Sequence, residues 1–137
     1  MALVFSLAAA SDTPIYRQIM RQIRRAVALE QLQLGEQLPT VRALAESLVV
    51  NPNTVARAYQ ELIRDGLLES RSGIGVFVAE KVRQVFSPAE RERRLRQAIE
   101  PLLHEALMLH FSLPEVRTAL EEQWQELQSH VTTRRKK

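Results

Sequence analysis

The sequence predicts a mainly α-helical protein that carries one small β-hairpin and ends in two long helices. Three observations predict it. Apolar residues recur at three- and four-residue intervals through five segments. Each of those segments opens on a Ser, Thr or Asn close to a proline, the chemistry of a helix start. Between the third and fourth segments, the glycines of Ser72-Gly73-Ile74-Gly75 separate two short runs rich in strand-forming residues.

The first helix is announced by Ser11-Asp12-Thr13-Pro14, with Pro14 expected at the first helical position. Ile15, Ile19, Ile23, Ala26 and Val27 form one apolar face, and the helix is expected to run to about Glu30. Leu34-Gly35-Glu36 then turns the chain. Thr40 caps a second helix whose inner face is Val41, Leu44, Ala45 and Leu48. After a tight Val49-Val50 connection, Asn51 caps a third helix with Pro52 at its first position. Val55, Ala58, Tyr59, Leu62 and Ile63 face its core side. Asn53, Ala56, Arg57, Gln60 and Arg64 face away. Asp65-Gly66 stops it, glycine suiting the left-handed position that closes a helix. The hairpin follows, with strands expected at Leu67 to Arg71 and Val76 to Ala79. Helix, helix, short turn, helix, hairpin is the order of a winged helix-turn-helix.

The rest is helical. Ser87-Pro88-Ala89-Glu90 and Ser112-Leu113-Pro114-Glu115 read as capping boxes. The first opens a helix carrying Leu95, Ile99, Leu102, Leu103, Ala106 and Leu107, in which Pro101 is expected to cause a kink. The second carries Val116, Leu120, Trp124, Leu127 and Val131. Two such stripes leave more apolar surface than a hairpin can bury, so Ile99, Leu103, Leu120 and Trp124 are expected to dimerise the chain. The organisation is thus a winged domain over residues 1–80 and a helical dimerisation region with a basic tail over 81–137.

Composition narrows the function. Cysteine is absent, which excludes a disulfide scaffold and thiolate metal sites and fits a reducing cytoplasm. No apolar run is long enough to span a membrane. The apolar start lacks the basic region of a secretory signal, and Val4 and Phe5 read as a short opening strand or an arm that packs on the body. The sequence pI of about 9.8 suggests nucleic acid, but residues 1–80 balance eight Arg against eight Asp and Glu, and the net +3 comes from the rest. Placement must therefore carry the argument. His104, His110 and His130 lack metal-site spacing, and the C-terminal glutamates fit solvated helix faces. No enzyme, metal or other cofactor is expected.

A helix-turn-helix presents the start of its second helix to base edges while the first crosses the DNA backbone. Asn53, Thr54 and Arg57 are the candidate readers, Asn pairing with adenine and Arg with guanine. Asn51 sets the helix start close to phosphate, and Thr40 and Arg42 stand where a phosphate is clamped. Arg71 flanks the small wing tip, Gly73 to Gly75, where an arginine enters a minor groove. The plainer alternatives are solvation for Arg57, a second cap for Asn53, an ion pair with Glu46 for Arg42, and turn geometry for the glycines. At the level of the whole chain, a protein-interaction module and a non-specific DNA binder stand as alternatives to sequence-specific regulation.

The stretches Pro14-Ile15-Tyr16-Arg17-Gln18-Ile19, Gly35-Glu36-Gln37-Leu38-Pro39-Thr40-Val41-Arg42-Ala43-Leu44-Ala45 and Asn51-Pro52-Asn53-Thr54-Val55-Ala56-Arg57-Ala58-Tyr59 resemble the N-terminal domain of GntR-family regulators. So do Leu62, Gly66-Leu67-Leu68-Glu69 and Gly73-Ile74-Gly75-Val76-Phe77-Val78. The resemblance covers about residues 12–79. It implies DNA contacts for Arg42, Asn53, Thr54 and Arg57. Some members carry arginines where this chain has Pro52 and Ala56, and those contacts do not transfer. The short helical remainder is similar to the YtrA-like branch, which implies a homodimer on a pseudo-palindromic double-stranded DNA operator, repressing more often than activating. The sequence names no effector ligand.

Overall fold

The computed structural model describes residues 5–80 and 87–135. The chain forms two compact units, Met1–Val82 and Arg83–Lys137. In the first unit, three helices, α1 (Ile15–Ala28), α2 (Val41–Leu48) and α3 (Pro52–Arg64), precede a hairpin of β1 (Leu68–Arg71) and β2 (Gly75–Val78). The core is built from the periodic faces: Ile19, Ile23 and Ala26 from α1, Leu44 and Ala45 from α2, and Val55, Ala58, Tyr59 and Leu62 from α3, closed by Leu68 and Val78 of the hairpin. This is a winged helix-turn-helix.

Helix starts follow the side chains that satisfy free N–H groups. Thr40 Oγ1 accepts from Ala43 N at 3.0 Å and Asn51 Oδ1 from Asn53 N at 2.8 Å. The start of α1 falls one residue later than expected. Pro14 is the cap, with ψ of 148°, because its carbonyl accepts from Arg17 N and Gln18 N while Ser11 Oγ binds Thr13 N instead of the helix.

Helix ends share one device. The chain passes through a left-handed residue, and the N–H of the residue after it bonds back to the carbonyl five residues earlier: Gln31 to Ala26, Val50 to Ala45 and Leu67 to Leu62. After α1 it is Glu30 (φ +59°), after α2 Val49 (φ +56°), and after α3 Gly66 (φ +82°). The left-handed Glu30 is why α1 stops at Ala28 rather than Glu30. Val49 is the strained case, a β-branched residue in a conformation that costs a non-glycine roughly 1–2 kcal/mol. It is 90% exposed, so its side chain gains nothing by burial. Val49→Gly is therefore expected to raise the melting temperature by several degrees, since relief of strain outweighs the roughly 0.5–1 kcal/mol lost to glycine's freer unfolded chain. Calorimetry of the two proteins checks this, and a lower melting temperature in the variant would contradict it.

The wing is wider than the hairpin that the sequence predicts. β1 pairs antiparallel with β2, Leu68 opposite Val78 and Arg71 opposite Gly75. Residues 35–38, which begin inside the turn expected at Leu34-Gly35-Glu36, lie along the other edge of β2: Gly35 N and Leu38 N donate to Val78 O and Val76 O, and Val78 N donates to Glu36 O, each at 2.8 Å. β2 is thus flanked on both sides. The segment that pairs with the wing runs directly into the Thr40 cap, so wing and α2 are mechanically joined.

Val4 lies outside the described residues. Phe5 and Leu7 form an arm, not a strand, packed against the core. Two glutamines one turn apart on α1 hold its backbone: Gln22 accepts from Ser6 N (2.8 Å) and donates to Ser6 O (2.6 Å). Gln18, buried, accepts from Ala8 N (2.8 Å) and donates to Ala8 O (3.0 Å) and Thr13 O (2.8 Å).

The second unit consists of α4 (Pro88–Met108) and α5 (Leu113–Arg135). Ser87 Oγ caps α4 through Glu90 N (3.2 Å), while the Glu90 carboxylate turns to Arg93 and Arg94. Those guanidinium hydrogen bonds hold the Glu90 carboxyl down at about 2. The box at α5 is reciprocal: Ser112 N donates to Glu115 Oε2 (2.7 Å) and Glu115 N to Ser112 Oγ (3.3 Å). α4 continues as a helix through Pro101 and ends at a left-handed His110 (φ +61°). Among its described residues this unit buries none. Ile99, Leu103, Leu120 and Trp124 are 40%, 39%, 56% and 61% exposed. Leu102, Ala106, Leu109, Phe111, Val116 and Leu120 line an open apolar groove of about 440 Å³. No helix of the described residues is long and apolar enough to cross a membrane. Lys136 and Lys137 of the basic tail lie outside the described residues.

Candidate nucleic-acid interface

The expected DNA-facing residues fall on three elements. At the start of α3, Asn53 is exposed and Thr54 half-buried, both ahead of the first full turn of core contacts. Asn51 spends its side-chain oxygen on the cap, and its carbonyl accepts from Thr54 N at 2.9 Å, so the first turn is fixed in place. Asn51, Pro52 and Arg42 line one open groove between α2 and the turn. α2 is set against α3 by Tyr59, whose hydroxyl donates to Pro39 O at 2.7 Å from inside the core. Burial pushes the Tyr59 phenol above its ordinary value, so it stays protonated and keeps that bond.

Arg42 reaches Glu46 one turn on, with Nε 3.4 Å from Oε1. Both side chains are largely in water, at 88% and 70% exposure. A pair of this kind is worth ~0–1 kcal/mol, so Arg42 can exchange Glu46 for a phosphate at little cost. Thr40, exposed beside it, is committed to the cap.

The wing arginine is more firmly held. Arg71 Nη2 is 2.8 Å from Glu69 Oε1 and 3.5 Å from Glu80 Oε1, and its guanidinium lies over the Phe77 ring, 4.1 Å from the centroid. Glu69 and Phe77 are register partners on the same face of the hairpin, which explains the meeting. The hydrogen bond to Glu69 raises the Arg71 pKa further. Beyond it Gly73, with φ +73°, stands in open space. Gly75 is more constrained: its φ is +141°, and a Cβ there would lie 2.8 Å from Gln37 Nε2. That amide donates to Ile74 O (3.1 Å) and so secures the wing tip. Sequence reading missed Gln37, since nothing local marks its role.

Arg57 differs most from its expected setting. It is exposed on α3, but its guanidinium is drawn aside onto the ring of Tyr16 in α1, 3.9 Å from the centroid. Tyr16 was not legible as a site residue, because the two positions lie far apart in sequence and neither breaks the periodicity of its helix. The described residues contain no cluster of three or more potential metal ligands.

The family model described as bacterial regulatory proteins, gntR family, matches residues 15–78. The HTH-type transcriptional repressor YtrA of Bacillus subtilis (strain 168) is 41% identical over 73 residues, covering 53% of this chain and 56% of its own length. The chain spans a little over half the length of this relative and of a second Bacillus subtilis regulator, YhcF, and less of longer ones. Among solved structures, a transcriptional antiterminator from Listeria monocytogenes EGD-e superposes with a TM-score of 0.79 at 31% identity, covering 90% of this chain and 92% of that one. YtrA from Sulfolobus acidocaldarius, a GntR-family transcription factor, gives 0.59 at 32% identity, covering 73% of this chain and 97% of that one. With the wing, the capped third helix and these matches taken together, the chain belongs to the GntR family of transcription regulators and carries that family's DNA-binding domain.

Proposed function

We propose that the protein is a homodimeric repressor that binds a pseudo-palindromic double-stranded DNA operator in the cytoplasm. The observation that carries this reading is the Asn51-capped opening of α3, with Asn53 exposed, Thr54 half-buried, and Arg42 in water across one groove from Asn51 and Pro52. Asn53 and Thr54 read base edges in the major groove. Thr40, Arg42 and the Asn51 turn meet the phosphate backbone. The wing, with Gly73 and Gly75 at its tip and Arg71 behind them, lies along the adjoining minor groove. Repression is supported by the similarity to the Bacillus subtilis transcriptional repressor YtrA. The second copy is supported by the uncovered faces of α4 and α5, in particular Ile99, Leu103, Leu120 and Trp124. Two-fold pairing sets half-site centres about one helical turn, ~34 Å, apart.

Titration against the protein's own promoter fragment and random duplex over a salt series tests the reading. Arg42→Ala is expected to weaken both duplexes and lower the salt slope by ~1 per lost phosphate contact. Asn53→Ala is expected to cost ~1–3 kcal/mol per site on the operator alone, relaxing preference at one symmetric pair of positions. Equal affinity of the unaltered protein for both duplexes would overturn sequence-specific regulation.

A further inference from the structure

Four arginines surround one groove between α1 and α3 of the first unit. It has a volume of about 530 Å³ and is lined by Tyr16, Arg17, Arg21 and Arg24 on one side and Arg57 and Glu61 on the other. Arg24 is paired with Asp65, and Glu61 with Arg64. Among the described residues, no carboxylate lies within ion-pair distance of Arg17, Arg21 or Arg57. What holds two of these three is an aromatic ring. Arg57 lies over the Tyr16 ring, its Cζ 3.9 Å from the centroid, and Arg17 Nε donates to the Tyr16 hydroxyl at 3.1 Å with its guanidinium 5.9 Å from the same centroid. A stacked guanidinium keeps its in-plane N–H donors free, which suits it to a bidentate anion.

The groove's place on α3 decides which anion. Successive residues of a helix are turned by about 100°, so Arg57 and Glu61 leave α3 on the flank opposite Pro52 and Tyr59. Pro52 lines the α2 groove and Tyr59 bonds to the segment entering α2, so that second flank is the α2 side. Asn53, four residues before Arg57, stands between the flanks on the outward face. An α-helix of ~10–12 Å diameter fills a major groove ~12 Å wide, and both of its flanks then face a phosphate wall.

We propose that the α1–α3 groove is a second phosphodiester clamp. Arg57, stacked on Tyr16 and supported by Arg17 and Arg21, takes a backbone phosphate of the DNA strand opposite the one met by Arg42. The inference rests on the operator-binding reading and deepens it. It also moves Arg57 from base readout to the backbone and leaves base reading to Asn53 and Thr54. Tyr16 is a positioning residue whose ring holds the guanidinium in place.

The test uses the full-length protein and a set of operator duplexes, each with one phosphate replaced by a neutral methylphosphonate. Unaltered protein is expected to lose about tenfold in affinity at the clamped phosphates, the scale of a charge-assisted hydrogen bond. In Arg57→Ala the loss at one symmetric pair of these phosphates disappears, while the loss at the Arg42 phosphates remains. Arg57→Ala also weakens operator and random duplex alike and lowers the salt slope by ~1 per protomer. Tyr16→Phe keeps the ring and the methylphosphonate profile. Tyr16→Ala combined with Arg57→Ala is no worse than Arg57→Ala alone, because the two act as a unit. An identical methylphosphonate profile in unaltered protein and Arg57→Ala overturns the clamp. So does relaxed preference at one base pair with an unchanged salt slope, which returns Arg57 to base readout. If the unaltered protein shows no salt-sensitive duplex binding, the operator-binding reading falls and the clamp falls with it.

Discussion

A chain ended after Glu80 is expected to sediment as a monomer and to bind operator about 100- to 10,000-fold more weakly than the whole chain, the range by which linking two modest sites raises affinity. The first unit has its own core, from Ile19 and Ile23 through Leu62 to Val78, and keeps it when the second unit is removed. The second unit is expected to depend on a partner. Helices of 21 and 23 residues with no buried side chain among those described have only their own hydrogen bonds and surface ion pairs to hold them. Most helical stability in a protein comes from packing an apolar face rather than from helix propensity. In the proposed homodimer, association of two copies would cover the stripes, supply the missing stability and couple two half-sites into one binding event. Trp124→Ala in the full chain gives a graded form of the same result, weakening association by ~3–5 kcal/mol if the ring is fully covered in the dimer. Sedimentation and operator titration of the shortened chain would falsify the interface assignment if it remained dimeric.

Tyr59→Ala is expected to be the most damaging single change in the first unit. The side chain is 2% exposed and joins α3 to the entry of α2 by its bond to Pro39 O. Truncating a buried aromatic costs ~3–5 kcal/mol, against a total stability of ~5–15 kcal/mol for a domain. A fall in melting temperature of roughly 15–30 °C follows for a unit of this size. Tyr59→Phe isolates the hydroxyl, with a loss of ~1 kcal/mol. The two also separate by pH. Burial raises the Tyr59 pKa above its unfolded value of 10.0, so the unfolded chain releases its proton first. Stability from this group is complete below pH 10 and falls as pH rises beyond it. Tyr59→Phe lacks that alkaline loss. Thermal melts of the three proteins at neutral pH and above pH 10 measure both effects, and identical alkaline behaviour would show that Tyr59 is not the group responsible.

Helix starts were legible because they depend on side-chain chemistry beside the start itself: Thr40, Asn51 with Pro52, Ser87 and Ser112 all cap where their residue types predict. Helix ends were less so. Gly66 announces its left-handed turn, but Glu30, Val49 and His110 adopt the same conformation without being glycine, because the surrounding chain imposes it. The segment 35–38 has too few residues to show alternation, so its pairing with β2 was invisible. Within the candidate site, contacts between neighbours in sequence follow from local geometry, and contacts between distant segments do not. Arg71 sits with Glu69 two residues away on one strand face, a pairing the alternation already contains. The meeting of Arg57 with Tyr16 depends on how α1 packs against α3, which no local pattern encodes.

The two glutamines of α1 carry a last consequence, for which replacements the arm accepts. Gln18 and Gln22 bind the peptide groups of Ser6 and Ala8, and peptide groups are the same for every residue except proline. The identity of the side chains at 6 and 8, which are exposed, is therefore nearly free to vary, with proline excluded because it has no N–H to give. The glutamines have no such latitude. Glutamate at 18 would bring a charge into a buried position and lose both donors, and leucine there would leave the Ala8 and Thr13 carbonyls without their partner. The tolerance of the arm and the intolerance of the helix that holds it are two sides of one set of hydrogen bonds.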